Sequence, residues 1–547
     1  MIYWRAILFL TLILSASAQA PVVRAQNNQT RIGVTTHFSQ GWPISLIDRA
    51  TFIGVGTIRD SLHWPDIEKS PGVYDFSVKK TQHITSACAA GMTVLLGIEP
   101  RNPLYDSKLT AHSPGAQLAF ANYIKAIADR YSGCVIAIEV GNEINGRGGM
   151  TGPAATARAA SHTALLKAVF QRVKPSHPDI AILGGSTNAI GTGFLKSLFA
   201  AGALDFMDGV AIHPYRKDPE AVDWEIGRLN DAMKDAGKVR PIWVTEFSRD
   251  FVQPADAPVF FLKMLSLMQG AGVKDIYWYA LIDQTWFPTM GLLTLKGAEK
   301  PGARAFAYAA NNLVPQGLAR RIDHADPSLF HFRYGPTTHV IWGTRRPISA
   351  GPNARFRDAE GSIISAINEV SDTPVIVESA PNVQFGRAEI LADSQFGFPS
   401  APLSWFALNK AGALVPLTPI DWKWTSYLGN KTVPQMIVNP AGIGPAGQYS
   451  SLVRYTADRP VAAIASFCLT PLGKFGDGVT AAMQHNGKRI WSGPVGILSG
   501  KRVAHVPVRL QTGDNVDLIL SPNANAGGDR MGYRFRVSLS AVDVADC

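Results

Sequence analysis

The sequence lacks an apolar run long enough to cross a bilayer, which takes about 20 residues as a helix. Its first apolar stretch covers residues 6–15, follows Arg5 and precedes Ala18-Gln19-Ala20. That arrangement is typical of a cleaved export signal, which we predict over residues 1–25, with an uncleaved anchor as the alternative. We therefore expect a secreted or periplasmic protein with no stable membrane span.

The chain also lacks any concentration of charge. Only 17% of its residues are charged, and the net charge of +10 is spread over both halves without a basic tail. Even spreading argues against a nucleic-acid-binding arm, so we predict no nucleic-acid partner. An acidic polymer or an anionic cell surface stays open as a partner.

Cysteine is scarce, with four residues in the whole chain: Cys88, Cys134, Cys468 and Cys547. In an exported protein, four cysteines permit disulfides without requiring them. Cys88 ends a predicted helix and Cys134 opens a predicted strand, so we expect both at the same end of the fold. The pairs Cys88–Cys134 and Cys468–Cys547 are one of three possible connectivities, and unpaired buried thiols are the alternative.

Two kinds of motif are missing. No glycine-rich phosphate fingerprint follows a strand-like run, which argues against a dinucleotide-binding open sheet. No HExxH sequence or paired Cys/His spacing occurs, which argues against a zinc site. We predict neither a metal site nor a cofactor.

What the sequence does contain is an alternation of short apolar runs with amphipathic segments. Eight repeats of this alternation are typical of an α/β fold of the (β/α)8 TIM-barrel type, with an open doubly wound sheet as the alternative. The predicted strands cover residues 32–36, 56–59, 93–98, 135–140, 180–183, 209–212, 242–245 and 275–280. The clearest predicted helices cover residues 117–131, 162–173, 223–236, 258–269 and 300–313.

The pattern changes near residue 329, where short alternating runs such as FHFRY, THVIWG and TPVIVES begin. Such runs predict antiparallel β-sandwich domains behind the barrel. For the 547 residues we predict a signal peptide (1–25), a catalytic barrel (26–315), an accessory β-domain (316–400) and a C-terminal β-sandwich (401–547). Tryptophans of the last region form either a core or a sugar-stacking face: Trp405, Trp422, Trp424 and Trp491.

Two carboxylates end predicted barrel strands. Glu143 follows the run at residues 135–140, and Glu246 ends the run at residues 242–245. Because the carboxyl ends of parallel barrel strands meet at one mouth, we expect these side chains to face each other. Paired carboxylates are what glycoside hydrolysis needs, one as a proton donor and one as a nucleophile.

Other polar and aromatic residues follow the same strand ends. They suit a sugar polymer, because aromatic faces stack on the C–H faces of pyranose rings while polar groups orient the hydroxyls. The predicted substrate-binding residues are Asn142, Arg59, His213, Tyr215, Trp278, Trp64, Glu99, Arg101 and Trp286. Each has a structural alternative, such as an ion pair for Arg59 or core packing for Trp278.

Four motifs together resemble glycoside hydrolase clan A, and most closely its family 39-like enzymes: TIRDSLHWPDIEKSPGVYDFS, EVGNEIN, AIHPY and WVTEF. The resemblance covers about residues 31–379 and implies a retaining mechanism. It implies Glu143 as the general acid/base and Glu246 as the nucleophile. It also implies Asn142 at the substrate's 2-hydroxyl, further polar groups around the nucleophile and a tryptophan platform under the reacting sugar: Arg59, Tyr215, His213 and Trp278.

We therefore predict a retaining glycoside hydrolase that cleaves an extracellular polysaccharide, such as an exopolysaccharide, within the chain. An inactive carbohydrate-binding protein and an adhesion protein that binds through its β-domains are the alternatives. The oligomeric state stays open. Five cations past strand ends would favour an acidic polymer unless neighbouring carboxylates neutralise them: Arg101, Arg147, Arg216, Lys217 and Arg249.

Overall fold

The computed structural model describes residues 30–540, and its first part is a closed barrel of eight parallel strands. The strands are β1 (Arg31–Thr35), β2 (Thr57–Ser61), β3 (Thr93–Ile98), β4 (Val135–Val140), β5 (Ala181–Asn188), β6 (Gly209–His213), β7 (Ile242–Phe247) and β8 (Asp275–Trp278). Each strand pairs with the next along the chain, and β8 closes on β1. The predicted (β/α)8 barrel is confirmed.

Helices surround the barrel and cover the outer faces of the strands, which is why most strands are apolar on both faces. The α-helices are Leu46–Phe52, Trp64–Ile67, Gln82–Ala89, Pro114–Tyr131, Pro153–Thr156, Arg158–Val173, Thr192–Ala200, Val222–Asp235, Ala257–Gly270 and Pro301–Tyr308. The last of these continues as a π-helical turn, Ala309–Leu313. None of the helices within residues 30–540 combines the length and the apolar character that a membrane crossing requires.

The barrel interior is filled at its lower end by one small apolar layer: Leu95, Ala137, Leu183, Ala211, Trp243 and Tyr277. Above this layer, towards the carboxyl ends of the strands, the interior becomes polar and charged. The barrel therefore has a packed floor and a charged mouth, which is where enzymes of this fold place their chemistry.

Strand β5 extends further than the run predicted at residues 180–183, because Ala181–Asn188 is continuous strand. The added part contains glycine and small polar residues, so it carries no apolar signal. Gly184 packs against the helix side chain of Leu166, where a Cβ atom would lie 2.7 Å away. The longer strand brings Asn188 to the barrel mouth.

A disulfide joins Cys88, in helix Gln82–Ala89, to Cys134, which immediately precedes β4. This confirms the first predicted pair. The second pair includes Cys547, which lies outside the described residues.

Two antiparallel sheets follow the barrel. The strands of the first are, in spatial order, Arg320–Arg321, Leu329–Tyr334, Thr338–Gly343, Val375–Glu378, Arg355–Arg357 and Ile363–Ile364. Those of the second are Glu369–Val370, Arg346–Ala350 and Val383–Phe385. Phe330, Phe332 and Trp342 of the first sheet belong to the same apolar core as the barrel helices, so this region packs directly on the barrel.

The C-terminal region is a sandwich with an apolar core of its own. Its four-stranded sheet contains Ile390–Asp393, Met531–Ser538, Val461–Pro471 and Arg502–Leu510. Its six-stranded sheet contains Leu414–Pro416, Leu403–Leu408, Ser450–Thr456, Asn515–Pro522, Val479–His485 and Lys488–Val495. A three-stranded sheet beside them contains Thr418–Asp421, Ser426–Asn430 and Val433–Val438. The antiparallel sandwich expected behind the barrel is confirmed.

Candidate active site

Arg59 lies at the centre of the barrel mouth. It sits in β2 and donates from Nε to Glu139 Oε2 at 2.8 Å, from Nη1 to Glu246 Oε1 at 2.5 Å and from Nη2 to Asn142 Oδ1 at 2.9 Å. Burial lowers the pKa of Arg59, but the charges of Glu139 and Glu246 outweigh it and hold the pKa above its ordinary value. The guanidinium is a permanent charge that positions three side chains at once.

Glu139 is a buried carboxylate that the sequence analysis missed, because it lies within the apolar run of β4. Besides Arg59, it accepts hydrogen bonds from Ser186 Oγ at 2.6 Å and Thr245 Oγ1 at 3.0 Å. Burial raises the pKa of Glu139, but Arg59 and a bond from His213 hold it far below its usual range. A buried charge persists only when it is paired in this way.

Glu246, in β7, is bonded on both oxygens. Oε1 accepts from Arg59, and Oε2 accepts from the Tyr215 hydroxyl at 2.6 Å. Tyr215 follows β6, so two strands and the loop between β6 and its helix fix this carboxylate. Burial and the charge of Glu246 raise the pKa of Tyr215 well above 10, so the phenol keeps its proton and stays a donor.

Glu143, directly after β4, faces a more open environment, with 31% of its side chain exposed. Oε1 accepts from Asn188 Nδ2 at 2.8 Å and lies 3.3 Å from His213 Nδ1. Burial raises the pKa of Glu143, but the bond and charge of His213 and the bond from Asn188 leave it below the usual value. Its backbone φ of 45° lies in the left-handed region, a strain of about 1–2 kcal/mol that concentrates at functional sites.

His213 connects the two candidate catalytic carboxylates. One oxygen of Glu143, one of Glu246 and a ring nitrogen of His213 all lie within 4.8 Å of one another. Burial lowers the pKa of His213, but the charge of Glu246 and bonds to Glu139 and Glu143 raise it to about 9. At neutral pH the ring is therefore an imidazolium that balances part of the negative charge.

The same three residues are close enough to share a metal ion. The Arg59 guanidinium already lies against Glu246 and would repel a metal cation there, and Tyr215 donates to the other oxygen of the same carboxylate. The arrangement fits an ion-pair network.

Two of the predicted aromatic site residues lie in the core instead. Trp278 is 1% exposed, its ring packs against Phe251 and Phe261, and its indole N–H donates to the Met290 carbonyl at 2.9 Å. The expected platform role of Trp278 is therefore wrong. The next residue, Tyr279, points to the opposite side, as alternation along a strand requires, and reaches the mouth.

Tyr279 is an aromatic residue at the mouth that the sequence analysis missed. Its hydroxyl lies 3.2 Å from His37 Nε2, and its ring packs edge-on to that of Tyr215 at 6.0 Å between centroids. The only sequence signal for it was its position immediately after Trp278. Tyr279 therefore adds an aromatic ring to the barrel mouth beside Tyr215.

Trp64 is also buried at 1% exposure, stacks on Tyr105 and Tyr123, and donates its indole N–H to Glu68. It stabilises the helical layer and does not line the site, so that prediction is corrected. Trp286, on the loop after β8, is 84% exposed and open to solvent.

A cavity of about 490 Å³ opens beside Glu143, and we call it the Glu143 chamber. Its polar and aromatic lining is Glu99, Asn142, Glu143, Arg147, Asn188 and Trp424, with backbone of the glycine-rich loop 146–149. Arg101 supports the chamber from outside, because it pairs with Glu99 at 3.7 Å and donates to the Gly148 carbonyl at 2.5 Å. Asn188 carried no sequence signal, and Trp424 was expected in a core or on a sugar-stacking face of the C-terminal region, not at the barrel mouth.

No protein-family model matches the sequence, and no curated protein matches it. Among solved structures, a family 39 glycoside hydrolase from the gut symbiont Bacteroides cellulosilyticus WH2 superposes with a TM-score of 0.53 at 18% identity. The match covers 64% of this chain and 81% of that one.

Other solved structures superpose less well, with TM-scores below 0.5. One is to a GH39 β-xylosidase from Caulobacter crescentus, at 0.47 and 16% identity over 65% of this chain and 98% of that one. Another is to an exo-β-1,4-mannosidase from Opitutaceae bacterium strain TAV5, at 0.43 and 17% identity over 53% and 60%. The resemblance carried by the four sequence motifs is confirmed at the level of architecture: this chain has the fold of a family 39-like glycoside hydrolase.

Proposed function

We propose that this protein is a retaining glycoside hydrolase that cleaves a polysaccharide, with Glu246 as nucleophile and Glu143 as general acid/base. The observation that carries the proposal is the spacing of the two carboxylates, whose oxygens approach within 4.8 Å. Retaining enzymes hold their carboxyl groups about 5–5.5 Å apart, whereas inverting enzymes leave about 6.5–9.5 Å for a water molecule.

In the first step, an oxygen of Glu246 forms a bond to the anomeric carbon as the glycosidic bond breaks. Glu143 gives its proton to the departing oxygen, so the leaving sugar departs as a neutral alcohol. Arg59 and Tyr215 hold Glu246 in line for attack, which reduces the entropy cost of reaching the transition state.

In the second step, Glu143 removes a proton from a water molecule, and the resulting oxygen attacks the anomeric carbon. The bond to Glu246 breaks, and the free sugar keeps its original configuration after two inversions. The charge of His213 beside both carboxylates stabilises the ionised form of Glu143 that this step needs.

We further propose export from the cell and action on an extracellular polymer, with cleavage within the chain. The short apolar stretch behind Arg5 supports export. The disulfide between Cys88 and Cys134 supports it as well, because such bonds persist in oxidising compartments.

An acidic substrate receives narrower support than the sequence suggested. Three of the five mouth cations are paired with carboxylates at 2.9–3.7 Å: Arg101, Arg216 and Arg249. Arg147 and Lys217 are exposed and form no ion pair within residues 30–540. Arg147 lines the Glu143 chamber, so it is the cation placed to meet a carboxylate substituent of the polymer.

The test is turnover by the purified protein on a panel of neutral and acidic polysaccharides, with the anomeric configuration of the first product followed by NMR. We expect hydrolysis with retention, and little or none by the Glu246→Gln variant. Inversion would overturn the retaining mechanism. Binding without turnover by the unmodified protein would favour the carbohydrate-binding alternative.

A further inference from the structure

One loop of the C-terminal sandwich sits on the barrel mouth. We call residues 422–425 the docking loop; it joins strands Thr418–Asp421 and Ser426–Asn430. Its backbone is bonded to the barrel, because the Trp422 carbonyl accepts from the Gly193 amide at 2.9 Å and the Lys423 carbonyl accepts from Asn145 Nδ2 at 3.0 Å.

Side chains at both ends of the docking loop are also anchored. Asp421 pairs with Lys196 at 2.5 Å and Arg228 at 2.9 Å, and its carboxylate is buried. Thr425 donates to Glu225 at 2.7 Å. The partner residues lie on two successive barrel helices, so they fix the position of the docking loop on the barrel.

The docking loop packs closely against two glycines of the barrel. A Cβ atom at Gly191 would lie 2.6 Å from the Lys423 carbonyl oxygen, and one at Gly193 would lie 2.7 Å from the Asp421 carbonyl oxygen. Real Cβ atoms do not approach backbone that closely, so glycine is required at both positions. A larger residue at either position would displace the docking loop from these contacts.

The seated loop places Trp424 in the wall of the Glu143 chamber. Asn145 ties the two together, because it bonds the Lys423 carbonyl and also accepts from the Asn188 amide at 2.9 Å. Asn188 in turn donates to Glu143. The aromatic wall and the carboxyl group are thus held by one connected set of bonds.

The position of the chamber indicates which part of a substrate it would hold. Glu143 lines it and Glu246 does not. A general acid faces the glycosidic oxygen and the sugar that leaves with it, whereas the nucleophile approaches from the opposite side. The volume, about 490 Å³, lies in the range of roughly 300–1,000 Å³ that is usual for small-ligand sites.

We propose that the C-terminal sandwich completes the active site, with Trp424 as the stacking platform for the sugar on the leaving-group side of the bond that is cleaved. This inference rests on the proposed glycosidase function. Lys423 lies over the Trp424 ring, with its ammonium 5.4 Å from the ring centroid, and helps to fix its orientation. The substrate class it selects is a chain that continues past the cleaved bond with at least one further sugar.

The experiment compares Trp424→Ala with a matched control, Trp422→Ala, in the full chain. Trp422 is two residues away in the same loop, is 43% exposed and lies outside the chamber lining. Two substrates are used: an oligosaccharide that the unmodified protein cleaves, and the glycosyl fluoride of the same sugar, whose leaving group places no ring in the chamber.

We expect Trp424→Ala to lower kcat/KM on the oligosaccharide by about tenfold more than on the fluoride, as the loss of one stacked ring implies. Trp424→Phe should restore most of the difference, and Trp422→Ala should show none. Equal losses on both substrates, or no loss on the oligosaccharide, would overturn the role of Trp424 while leaving the hydrolase proposal intact.

A binding measurement separates the two proposals if no substrate is cleaved. Calorimetric titration of the full-length Glu246→Gln protein with oligosaccharides should give a Kd that Trp424→Ala weakens by about tenfold. An unchanged Kd would rule out the platform whether or not the protein is a hydrolase. Absence of turnover by the unmodified protein, together with the weakened Kd, would contradict the hydrolase proposal and the leaving-group position, and would leave Trp424 as a sugar-stacking side chain of the chamber.

Discussion

At the scale of single residues, the barrel mouth gives two carboxylates different surroundings. Glu246 accepts from Arg59 and Tyr215, while Glu143 borders an open chamber and accepts from Asn188 and His213. A carboxylate fixed on both oxygens suits attack along one line. A carboxylate beside open space suits exchange of a proton with sugar or water. This contrast in environment supports the proposed roles of Glu246 as nucleophile and Glu143 as general acid/base.

Replacing Glu246 with alanine should remove the nucleophile and lower kcat by about a thousandfold or more. Azide should restore part of the turnover of an activated glycoside, because the small anion fits the vacated space and attacks in its place. Product analysis should find a glycosyl azide of inverted configuration. Glu369→Ala, which removes a partly exposed carboxylate of the accessory region, is the control, and azide should have no effect on it.

Replacing Glu143 with alanine should act through the leaving group. Substrates that need protonation, such as oligosaccharides, should slow by about a hundredfold or more, while the glycosyl fluoride, which needs little acid help, should slow far less in its first step. Burst kinetics on both substrates measure this. A uniform loss across leaving groups would contradict the acid/base assignment.

The pH dependence of activity should depend on His213. Proton donation requires protonated Glu143, whose pKa lies below its usual value because of His213 and Asn188, so kcat/KM should be highest at acidic pH and fall as pH rises. His213→Asn removes the positive charge, so the pKa of Glu143 should rise and the falling limb should move to higher pH. If the falling limb of the pH profile stayed at the same pH in this variant, His213 would not control the pKa of Glu143.

At the scale of elements, close packing between neighbouring strands requires glycine at some positions, because a larger side chain would not fit there. In β1, a Cβ atom at Gly33 would lie 2.6 Å from the Thr57 carbonyl oxygen of β2 and 2.7 Å from the Tyr277 ring of β8. Gly56, one residue before β2, has no atom within 4 Å of such a Cβ. The two glycines therefore form a matched pair for testing the barrel closure.

Gly33→Ala should lower the free energy of unfolding by about 1–3 kcal/mol, because neither the carbonyl nor the buried ring has room to move. Gly56→Ala should change it by no more than about 0.5 kcal/mol. Thermal unfolding of the full chain, followed by calorimetry, should show a lower midpoint for the first variant only. Equal midpoints would mean that β1 can move away from its neighbours.

Strand boundaries also explain which site residues could be predicted. Glu143 and Glu246 come at the ends of largely apolar runs, so their places at strand ends could be predicted from sequence alone. Asn188 ends a strand whose last part is glycine and small polar residues, and no periodicity signals such a segment. Glu139 was hidden for the opposite reason, because a single carboxylate within an apolar run gives no sign of facing the barrel interior.

At the scale of the whole molecule, the net charge of +10 leaves few unpaired cations at the mouth. Exposed charges are screened beyond about 8 Å at physiological ionic strength. On an acidic polymer, KM should therefore rise between low and moderate salt while kcat stays nearly constant, and Arg147→Ala should flatten that dependence. Lys410→Ala, which removes an exposed cation of the C-terminal sandwich, should leave it unchanged. If the KM of the unmodified protein did not change with salt, the positive charge would not attract the substrate and would serve solubility alone.

The sequence by itself determined the barrel, the antiparallel domains behind it and the two glutamates at its mouth, because these follow from local periodicity and from residues placed directly after apolar runs. Only the tertiary structure decided that Trp278 faces the core and Tyr279 the mouth. It also decided that Trp424, more than 270 residues from Glu143 along the chain, lines the same chamber. The reason is physical: local patterns record which side chains are buried, whereas contacts between distant segments depend on how whole elements dock.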